Sequence, residues 1–260
     1  MVFIFFFVLT FLFIYHRSIL WTPDRANYLP INKTIKIGHR GAPNLAKENT
    51  IDSFIKAFEN GLEGVELDVQ LSKDKKLIVF HDWTIETISG RQAINELFYS
   101  ELQNISNRNN TNIPLLHEVF EILPEKCFVN IEIKSKHFYS TGIEESIIQL
   151  IHKYDLHNYV MISSFNPIIL YRIKKYRSNI LTAFLWSMKN NALLFNTPLW
   201  VWFCCPDGIH ININYKEHRI VAWAKKKNMT ILAYTVNNLS DYEWAKSIKL
   251  DGVFTDNPKL

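Results

Sequence analysis

Short apolar runs alternate with helical patterns along the chain after residue 34. The runs predict nine strands, which in chain order are IKIG, GVELDVQL, KLIVFHD, CFVNIEIK, VMISSF, ILTAFLW, GIHININ, ILAYTV and GVFTD. Amphipathic stretches lie between several of them, most clearly TIDSFIKAFENG, IPLLHEVFEIL and EHRIVAWAKKKN. Strand–helix alternation favours a parallel sheet covered by helices, and a chain of 260 residues is long enough for one α/β barrel. We therefore predict a (β/α)₈ TIM barrel.

Nine strands are one more than such a barrel needs. Too few residues separate Gln70 from Leu77 for a crossover helix, so we expect these two strands to pair as an antiparallel hairpin turning at residues 73–76. The hairpin would stand above the barrel mouth as a short extension. It would also return His81 to that mouth.

The N-terminus differs in kind from the rest of the chain. MVFIFFFVLTFLFIY is apolar except for Thr10, and continuing to Trp21 gives the ~20 residues that a membrane-spanning helix needs. The segment lacks a preceding positive charge and a small-residue cleavage site, which favours an uncleaved single-pass anchor over a signal peptide. We predict an anchor or signal segment at 1–21, a linker at 22–34 and the barrel domain at 35–260.

Charge helps to place the domain and to exclude partners. Basic residues follow the apolar segment, so the positive-inside rule favours a cytoplasmic domain. Five N-x-S/T sequons keep a secreted or lumenal location as the alternative; they lie at Asn32, Asn104, Asn109, Asn228 and Asn238. The net charge of +4 is scattered, which argues against nucleic-acid binding. Three cysteines, two of them adjacent, do not form a disulfide framework.

Polar side chains recur where the predicted strands end. The first strand is followed by His39-Arg40, the second carries Glu66 and Asp68, the hairpin ends at His81, and the next strand carries Glu132 and Lys134. Strand carboxyl ends meet at the mouth of a barrel, where function collects. Each motif alone is compatible with an ordinary ion pair or a structural histidine. Together they indicate inward carboxylates that are paired or bind a cation, and oxygen ligands favour Mg²⁺ or Ca²⁺.

Six stretches resemble the glycerophosphodiester phosphodiesterase family over residues 37–258. They are GHRGAPNLAKENTIDSF, GVELDVQLSKDKKLIVFHD, IPLLHEVFEIL, VNIEIK, ILAYTVNN and DGVFTDNP. The resemblance implies a (β/α)₈ barrel with a metal-dependent phosphodiesterase site. It implies an acid–base pair at His39 and His81, and metal ligands at Glu66, Asp68 and Glu132. It also implies substrate contacts at Arg40, Lys134, Glu48, Asn49, Tyr234 and Asn237.

The chain departs from the family pattern in two places. Tyr234 stands where the family commonly has Trp, so an aromatic ring near Asn237 is kept. Residues 193–206 are unusually apolar; they are expected to be either a buried helix and loop or a lip that touches the bilayer.

The implied reaction is hydrolysis of glycerophosphodiesters to glycerol 3-phosphate and an alcohol. Two histidines would exchange protons on opposite sides of the phosphorus, with water or the substrate's own hydroxyl as the attacking group. A lysophospholipase D acting at the membrane is the main alternative, and a catalytically inactive binding protein is another. The sequence leaves open which histidine is the base, the metal, the head group and the oligomeric state.

Overall fold

The computed structural model describes residues 2–30, 32–108, 112–176, 179–187 and 198–260. Its elements in chain order are α1 Val2–Leu20, β1 Ile35–Gly38, α2 Ile51–Glu59, β2 Gly64–Leu71, β3 Leu77–Val79, β4 Thr84–Thr87, β5 Gly90–Ala93, α3 Tyr99–Arg108, α4 Leu116–Glu121, β6 Phe128–Ile133, α5 Ile143–Lys153, β7 Val160–Ser164, α6 Pro167–Lys175, β8 Leu181–Trp186, α7 Pro198–Cys204, β9 Gly208–Asn212, α8 Arg219–Lys226, β10 Thr230–Tyr234, α9 Leu239–Ser247 and β11 Gly252–Thr255.

Eight parallel strands close into a barrel. Their order is β1, β2, β6, β7, β8, β9, β10 and β11, and β1 pairs with both β2 and β11. The closing registers place Gly38 beside Val65 on one side and beside Thr255 on the other. Helices cover the outside of the barrel, as the sequence predicts. The (β/α)₈ prediction is confirmed.

The strand that the barrel does not need, KLIVFHD, pairs as expected. β3 runs antiparallel to β2, with Gln70 opposite Ile78, which confirms the hairpin. The sequence did not predict the two-stranded sheet of β4 and β5 or the helix α3. The residues of β4 and β5 are mostly exposed or half-buried, so these strands lack the apolar run that marks the others.

Side chains along β2 alternate between the hydrophobic core outside the barrel and the barrel interior. Val65, Leu67 and Val69 are fully buried and pack in the cluster that contains Phe54 and Ala57 of α2. Glu66 and Asp68 therefore point to the barrel interior, because successive strand residues face opposite sides. Thr50 caps the start of α2, because its side chain accepts a hydrogen bond from the Ser53 amide, and the chain leaves the helix through Gly61 at φ +82°.

The apolar N-terminus forms the helix α1, which packs on α7. The Tyr15 ring lies 6.1 Å from that of Trp202, and the Arg17 guanidinium lies 5.0 Å from the Tyr171 ring of α6. Among the described residues, no helix is long and apolar enough to cross a membrane. The predicted transmembrane anchor is therefore not supported.

α1 and α7 run in the same direction. Arg17 interacts with Cys205 just beyond the end of α7, whereas Tyr15 lies beside Trp202, one turn earlier. The helix before β9 starts at the mouth end of the barrel, so α1 points its N-terminus toward that end. At ~1.5 Å per residue, α1 extends about 20 Å beyond Tyr15, whereas α7 extends about 6 Å beyond Trp202. α1 thus projects past α7 on the side of the mouth.

Residues 22–30 and 32–34, part of the expected linker, pack across the end of the barrel opposite the mouth. The Asp24 amide donates to Asp207 (3.1 Å), the Ala26 amide donates to the Thr230 hydroxyl (3.2 Å), and the Tyr28 hydroxyl donates to the Val160 carbonyl (3.3 Å). Ala26 and Leu29 are buried in the cluster that fills this end of the barrel. This segment closes the barrel floor.

The apolar stretch 193–206 is only partly described. Residues 193–197 lie outside the described residues, and most of the remainder forms α7. Val201, Cys204 and Cys205 are buried there. Cys204, Cys205 and Cys127 are free thiols.

Candidate active site

Three carboxylates converge inside the barrel mouth. Glu66 and Asp68 come from β2 and Glu132 from β6, and Asp68 lies opposite Glu132 in the parallel register. One carboxylate oxygen from each residue lies within 4.8 Å of the others. Burial, together with the charge of Asp68, raises the pKa of Glu66 to about 8 and that of Glu132 to about 7. The cluster therefore favours an added positive charge.

This donor set fits a hard divalent cation. All three ligands are carboxylate oxygens, as Mg²⁺ and Ca²⁺ prefer. Lys134 already supplies part of the charge, with its Nζ 3.6 Å from Asp68 and 3.4 Å from Glu132. Lys134 and Arg40 supply two positive charges against these three carboxylates and Glu48, so an excess of negative charge remains.

His39 follows β1 directly and is held by a carboxylate. Its backbone amide donates to the Thr255 carbonyl, and its Nδ1 lies 2.7 Å from Oδ1 of Asp256. Burial would lower the pKa of His39, but the Asp256 hydrogen bond and the charge of Glu66 raise it above its ordinary value. The ring is thus oriented and kept ready to carry a proton.

His81 reaches the same mouth from the end of the β2–β3 hairpin. Its Nδ1 lies 2.8 Å from Oδ1 of Asp82. Gln70 of β2 donates to the carbonyls of Phe80 and Asp82, both at 2.8 Å, and so holds the segment around His81. Burial lowers the pKa of His81, and the positive charges of Lys134 and Arg40 add to this effect against the opposing charge of Asp68.

The loop after β1 brings a guanidinium to the carboxylates. Arg40 has φ +55°, and its backbone amide donates to Oε2 of Glu66 (2.8 Å). Its guanidinium donates to Glu48 (3.0 Å) and lies 3.4 Å from Asp68. Asn49 donates to Asp68 at 2.9 Å. Glu48 and Asn49 thus support Arg40 and Asp68.

Gly41 allows this loop to lie close to α2. It has φ +90°, and an added Cβ would lie 2.4 Å from the Ser53 hydroxyl. Only glycine combines that backbone angle with that close approach.

A cavity of about 270 Å³ opens at the mouth above this cluster. Most of the residues predicted from sequence line it, namely His39, Arg40, Glu66, His81, Glu132, Lys134 and Tyr234. The hydroxyl of Tyr234 donates to the Trp186 carbonyl (3.1 Å), so the ring forms part of the wall. Asp68 lies deeper, where it joins Arg40 to Lys134.

Asn237 lies behind the site rather than in its wall. It donates to Oδ2 of Asp256 at 2.6 Å and accepts from the Asp256 amide at 2.8 Å. It therefore positions the carboxylate that holds His39.

Several lining or supporting residues were missed from sequence. Asp256 follows β11, so the strand-end rule could have found it, but nothing in the sequence pairs it with His39. Asn130, Phe165, Leu185 and Asn212 also line the cavity. These are common residue types in apolar strands or just beyond them, and only closure of the barrel brings them together.

The fold and the site together define a barrel hydrolase for an anionic ester. Two histidines, each beside a carboxylate, lie over an acidic cluster, and Arg40 and Lys134 supply positive charge in the same mouth. Proteins of similar sequence and structure identify the family within this class of hydrolases.

Residues 39–260 match the model of the glycerophosphoryl diester phosphodiesterase family. A glycerophosphodiester phosphodiesterase of Caldanaerobacter subterraneus subsp. tengcongensis is 32% identical, over 87% of this chain and 96% of the relative. A solved glycerophosphodiester phosphodiesterase from Thermotoga maritima is 29% identical, with a TM-score of 0.71 and coverage of 87% and 96%. An Oleispira antarctica phosphodiesterase, solved with the product sn-glycerol-3-phosphate, is 26% identical, with a TM-score of 0.71 and coverage of 90% and 96%.

The chain belongs to the glycerophosphoryl diester phosphodiesterase family. It is a phosphoric diester hydrolase.

Proposed function

We propose that this chain hydrolyses glycerophosphodiesters to glycerol 3-phosphate and an alcohol, with His39 and His81 as its acid–base pair. One observation carries the proposal: two histidines, each beside a carboxylate, face one cavity above the acidic cluster. The Oleispira antarctica phosphodiesterase that contains glycerol 3-phosphate supports the choice of product.

Glu66, Asp68 and Glu132 would hold Mg²⁺ or Ca²⁺. When bound, the cation supplies Lewis-acid neutralisation of the charge on the phosphate. Arg40 and Lys134 would add donors for the anionic phosphate oxygens, and Glu48 and Asn49 keep Arg40 and Asp68 in position.

The histidines would then move two protons. One takes the proton of the attacking oxygen as that oxygen bonds to phosphorus, and the other gives a proton to the alcohol oxygen as its bond to phosphorus breaks. The attacking oxygen belongs either to water or to the free glycerol hydroxyl, which would give a cyclic phosphate first. The roles of base and acid are left open between His39 and His81.

The test is release of choline and glycerol 3-phosphate from glycerophosphocholine. His39→Ala and His81→Ala should each lower turnover by roughly 10²–10⁴-fold. His152→Ala, on the exposed end of α5, is the matched control. EDTA should abolish activity, and Mg²⁺ or Ca²⁺ should restore it. Full activity in both histidine variants would remove the acid–base pair, and no activity in the wild type would favour an inactive binding protein.

Lysophospholipid hydrolysis at a membrane surface is a second candidate, favoured by α1. This helix projects on the side of the mouth and exposes large apolar side chains, including Leu9 at 46%, Leu12 at 51% and Phe13 at 67%. Apolar exposure of this extent marks an interaction surface, and an apolar helix of this kind suits a lipid surface. A bilayer that takes up this helix would lie in front of the mouth.

The two candidates are separated by the ratio of choline release from vesicle-bound lysophosphatidylcholine to that from glycerophosphocholine. The double substitution Leu9→Asp with Phe13→Asp should lower this ratio and reduce vesicle binding. Ile88→Asp changes an exposed apolar residue of the β4–β5 hairpin and serves as control. An equal ratio in all three proteins would exclude the role of α1.

A further inference from the structure

A second cavity, of about 500 Å³, adjoins the site and is not used by the proposed reaction steps. Lys134 lines both cavities. Trp83, two residues after His81, forms part of its wall, and the chain that follows β6 forms another part. The second cavity therefore continues the first on the side of His81.

The charged side chains that line this cavity in the described part of the chain are all basic. Lys75, Lys134, Lys136 and His137 line it, and no Asp or Glu does so among the residues the structure describes. Lys134 is partly neutralised by Asp68 and Glu132. Within the described part of the chain, neither Lys75 nor Lys136 forms an ion pair. A concave wall of one charge sign attracts ligands of the opposite sign.

The neighbouring acids Asp74 and Glu144 do not pair with these lysines, because their oxygens bond to other groups. Asp74 accepts hydrogen bonds from the Tyr99 amide and the Ser72 hydroxyl, at 2.9 and 2.8 Å. Glu144 is paired with Arg172 at 2.9 Å. Lys75 and Lys136 therefore face the cavity without a carboxylate partner among the described residues.

Ammonium groups already occupy the face of Trp83. Nζ of Lys136 lies 4.4 Å from the ring centroid, and Nζ of Lys134 lies 5.5 Å from it. An aromatic face is the usual site for a quaternary ammonium ligand such as choline. Here such a ligand would meet two like charges. An anionic ligand would meet the two ammonium groups of Lys134 and Lys136, which the Trp83 indole holds in place.

The wall that carries Trp83 is preorganised. Gln70 bonds the carbonyls of Phe80 and Asp82, on either side of His81. The amide of Ile94 donates to the carbonyl of Trp83 at 3.1 Å, which ties this segment to the strand pair β4–β5. This wall therefore does not have to be ordered by the ligand.

We propose that this second cavity binds the alcohol part of the diester and selects an alcohol that carries a further anionic group, such as a phosphate monoester. The inference rests on the proposed function, because it places the scissile phosphate in the first cavity. The substrate class is then glycerophosphodiesters with an anionic head group rather than a choline head group.

The experiment compares kcat/KM for glycerophosphoinositol 4-phosphate and glycerophosphoinositol, which differ by one phosphate. The wild type should prefer the phosphorylated diester. The double substitution Lys75→Gln with Lys136→Gln should lower that preference by about tenfold, which corresponds to roughly 1.4 kcal/mol. Added salt should weaken the preference in the wild type, because it screens the lysine charges. Lys153→Gln with Lys226→Gln, at the far ends of α5 and α8, is the charge-matched control. The same preference in all three proteins would overturn the proposal.

A binding measurement distinguishes failure of this inference from failure of the proposed function. Calorimetry with myo-inositol 4-phosphate should give binding to the wild type and the control and lose it in the Lys75–Lys136 variant. Lysine-dependent binding without hydrolysis of either diester would reject the proposed function and keep the cavity assignment. Hydrolysis without any such binding or preference would keep the function and reject the cavity assignment.

Discussion

At the scale of single residues, the site is built from partners that lie far apart in the sequence. His39 was found from its place after a strand, but the Asp256 carboxylate beside it comes 217 residues later. Asn237 in turn holds Asp256. A strand-end pattern can predict that such groups share a mouth. It cannot predict which of them touch, because that depends on rotamers and on how the barrel closes.

Asp256→Asn should keep the shape of this contact and remove its charge. The charge and hydrogen bond of Asp256 help to raise the pKa of His39, so the pKa should fall in the variant. The limb of the profile of kcat/KM against pH that reports His39 should then move to lower pH. Asp155→Asn, on an exposed turn, is the control. A profile that is lowered but not displaced would indicate a purely structural role.

His210 is a buried histidine that the proposed function does not use. Neither ring nitrogen has a hydrogen-bond partner among the described residues, and burial lowers its pKa to about 3. The unfolded chain binds a proton near pH 6.5, so the folded state is penalised as pH falls from 6.5 toward 3. Above pH 6.5 the effect is absent.

His210→Leu should therefore stabilise the protein more at pH 5 than at pH 7.5. The difference between the two pH values should be about 2 kcal/mol, at roughly 1.4 kcal/mol per pH unit. Urea unfolding at both pH values measures it, with His152→Leu as the exposed control. A His210→Leu effect that does not depend on pH would contradict the neutral buried state.

At the scale of elements, periodicity was sufficient for the barrel but not for its additions. All eight barrel strands and the β2–β3 hairpin are apolar runs, so the sequence predicts them. β4 and β5 are polar and, among the described strands, pair only with each other, so their pattern resembles a loop. The loop before α2 is a finer case. Asn49 and Thr50 are both residue types that favour an N-cap, and the structure assigns capping to Thr50 and a contact with Asp68 to Asn49.

These two neighbouring residues should separate stability from activity. Thr50→Ala should cost about 1 kcal/mol of unfolding free energy and change turnover little, and Thr50→Ser should restore the cap. Asn49→Gly keeps the φ of +56° accessible but removes the contact with Asp68, so metal affinity or activity should fall roughly 10–100-fold. Denaturant unfolding and metal titration measure the two effects. Equal changes in both properties for both variants would refute this division.

At the scale of the whole molecule, the acidic cluster links folding to pH and to cations. The pKa of Glu66, raised to about 8 by burial and by Asp68, lies above its unfolded value. Its proton therefore stabilises the metal-free fold at low pH, and that stabilisation is lost as pH rises toward 8. A divalent cation would replace it at the pH where the proton has left.

Mg²⁺ or Ca²⁺ should therefore raise the melting temperature more at pH 8 than at pH 5.5, because protons compete for the same oxygens. Thermal unfolding with and without about 5 mM cation, a large excess over the protein, measures this shift. Glu66→Gln with Asp68→Asn should abolish it. A larger shift at the lower pH would contradict binding at this cluster.

The closed barrel floor has a mechanical consequence for the N-terminal helix. A free linker of about fourteen residues would span roughly 20 Å as a random coil and let the barrel turn in any direction. Here the bonds of Asp24, Ala26 and Tyr28 remove that freedom. Any surface that takes up α1 would hold the barrel at a fixed distance and in a fixed orientation. The molecules it can cleave would then be selected by their distance from that surface before any group in the mouth touches them.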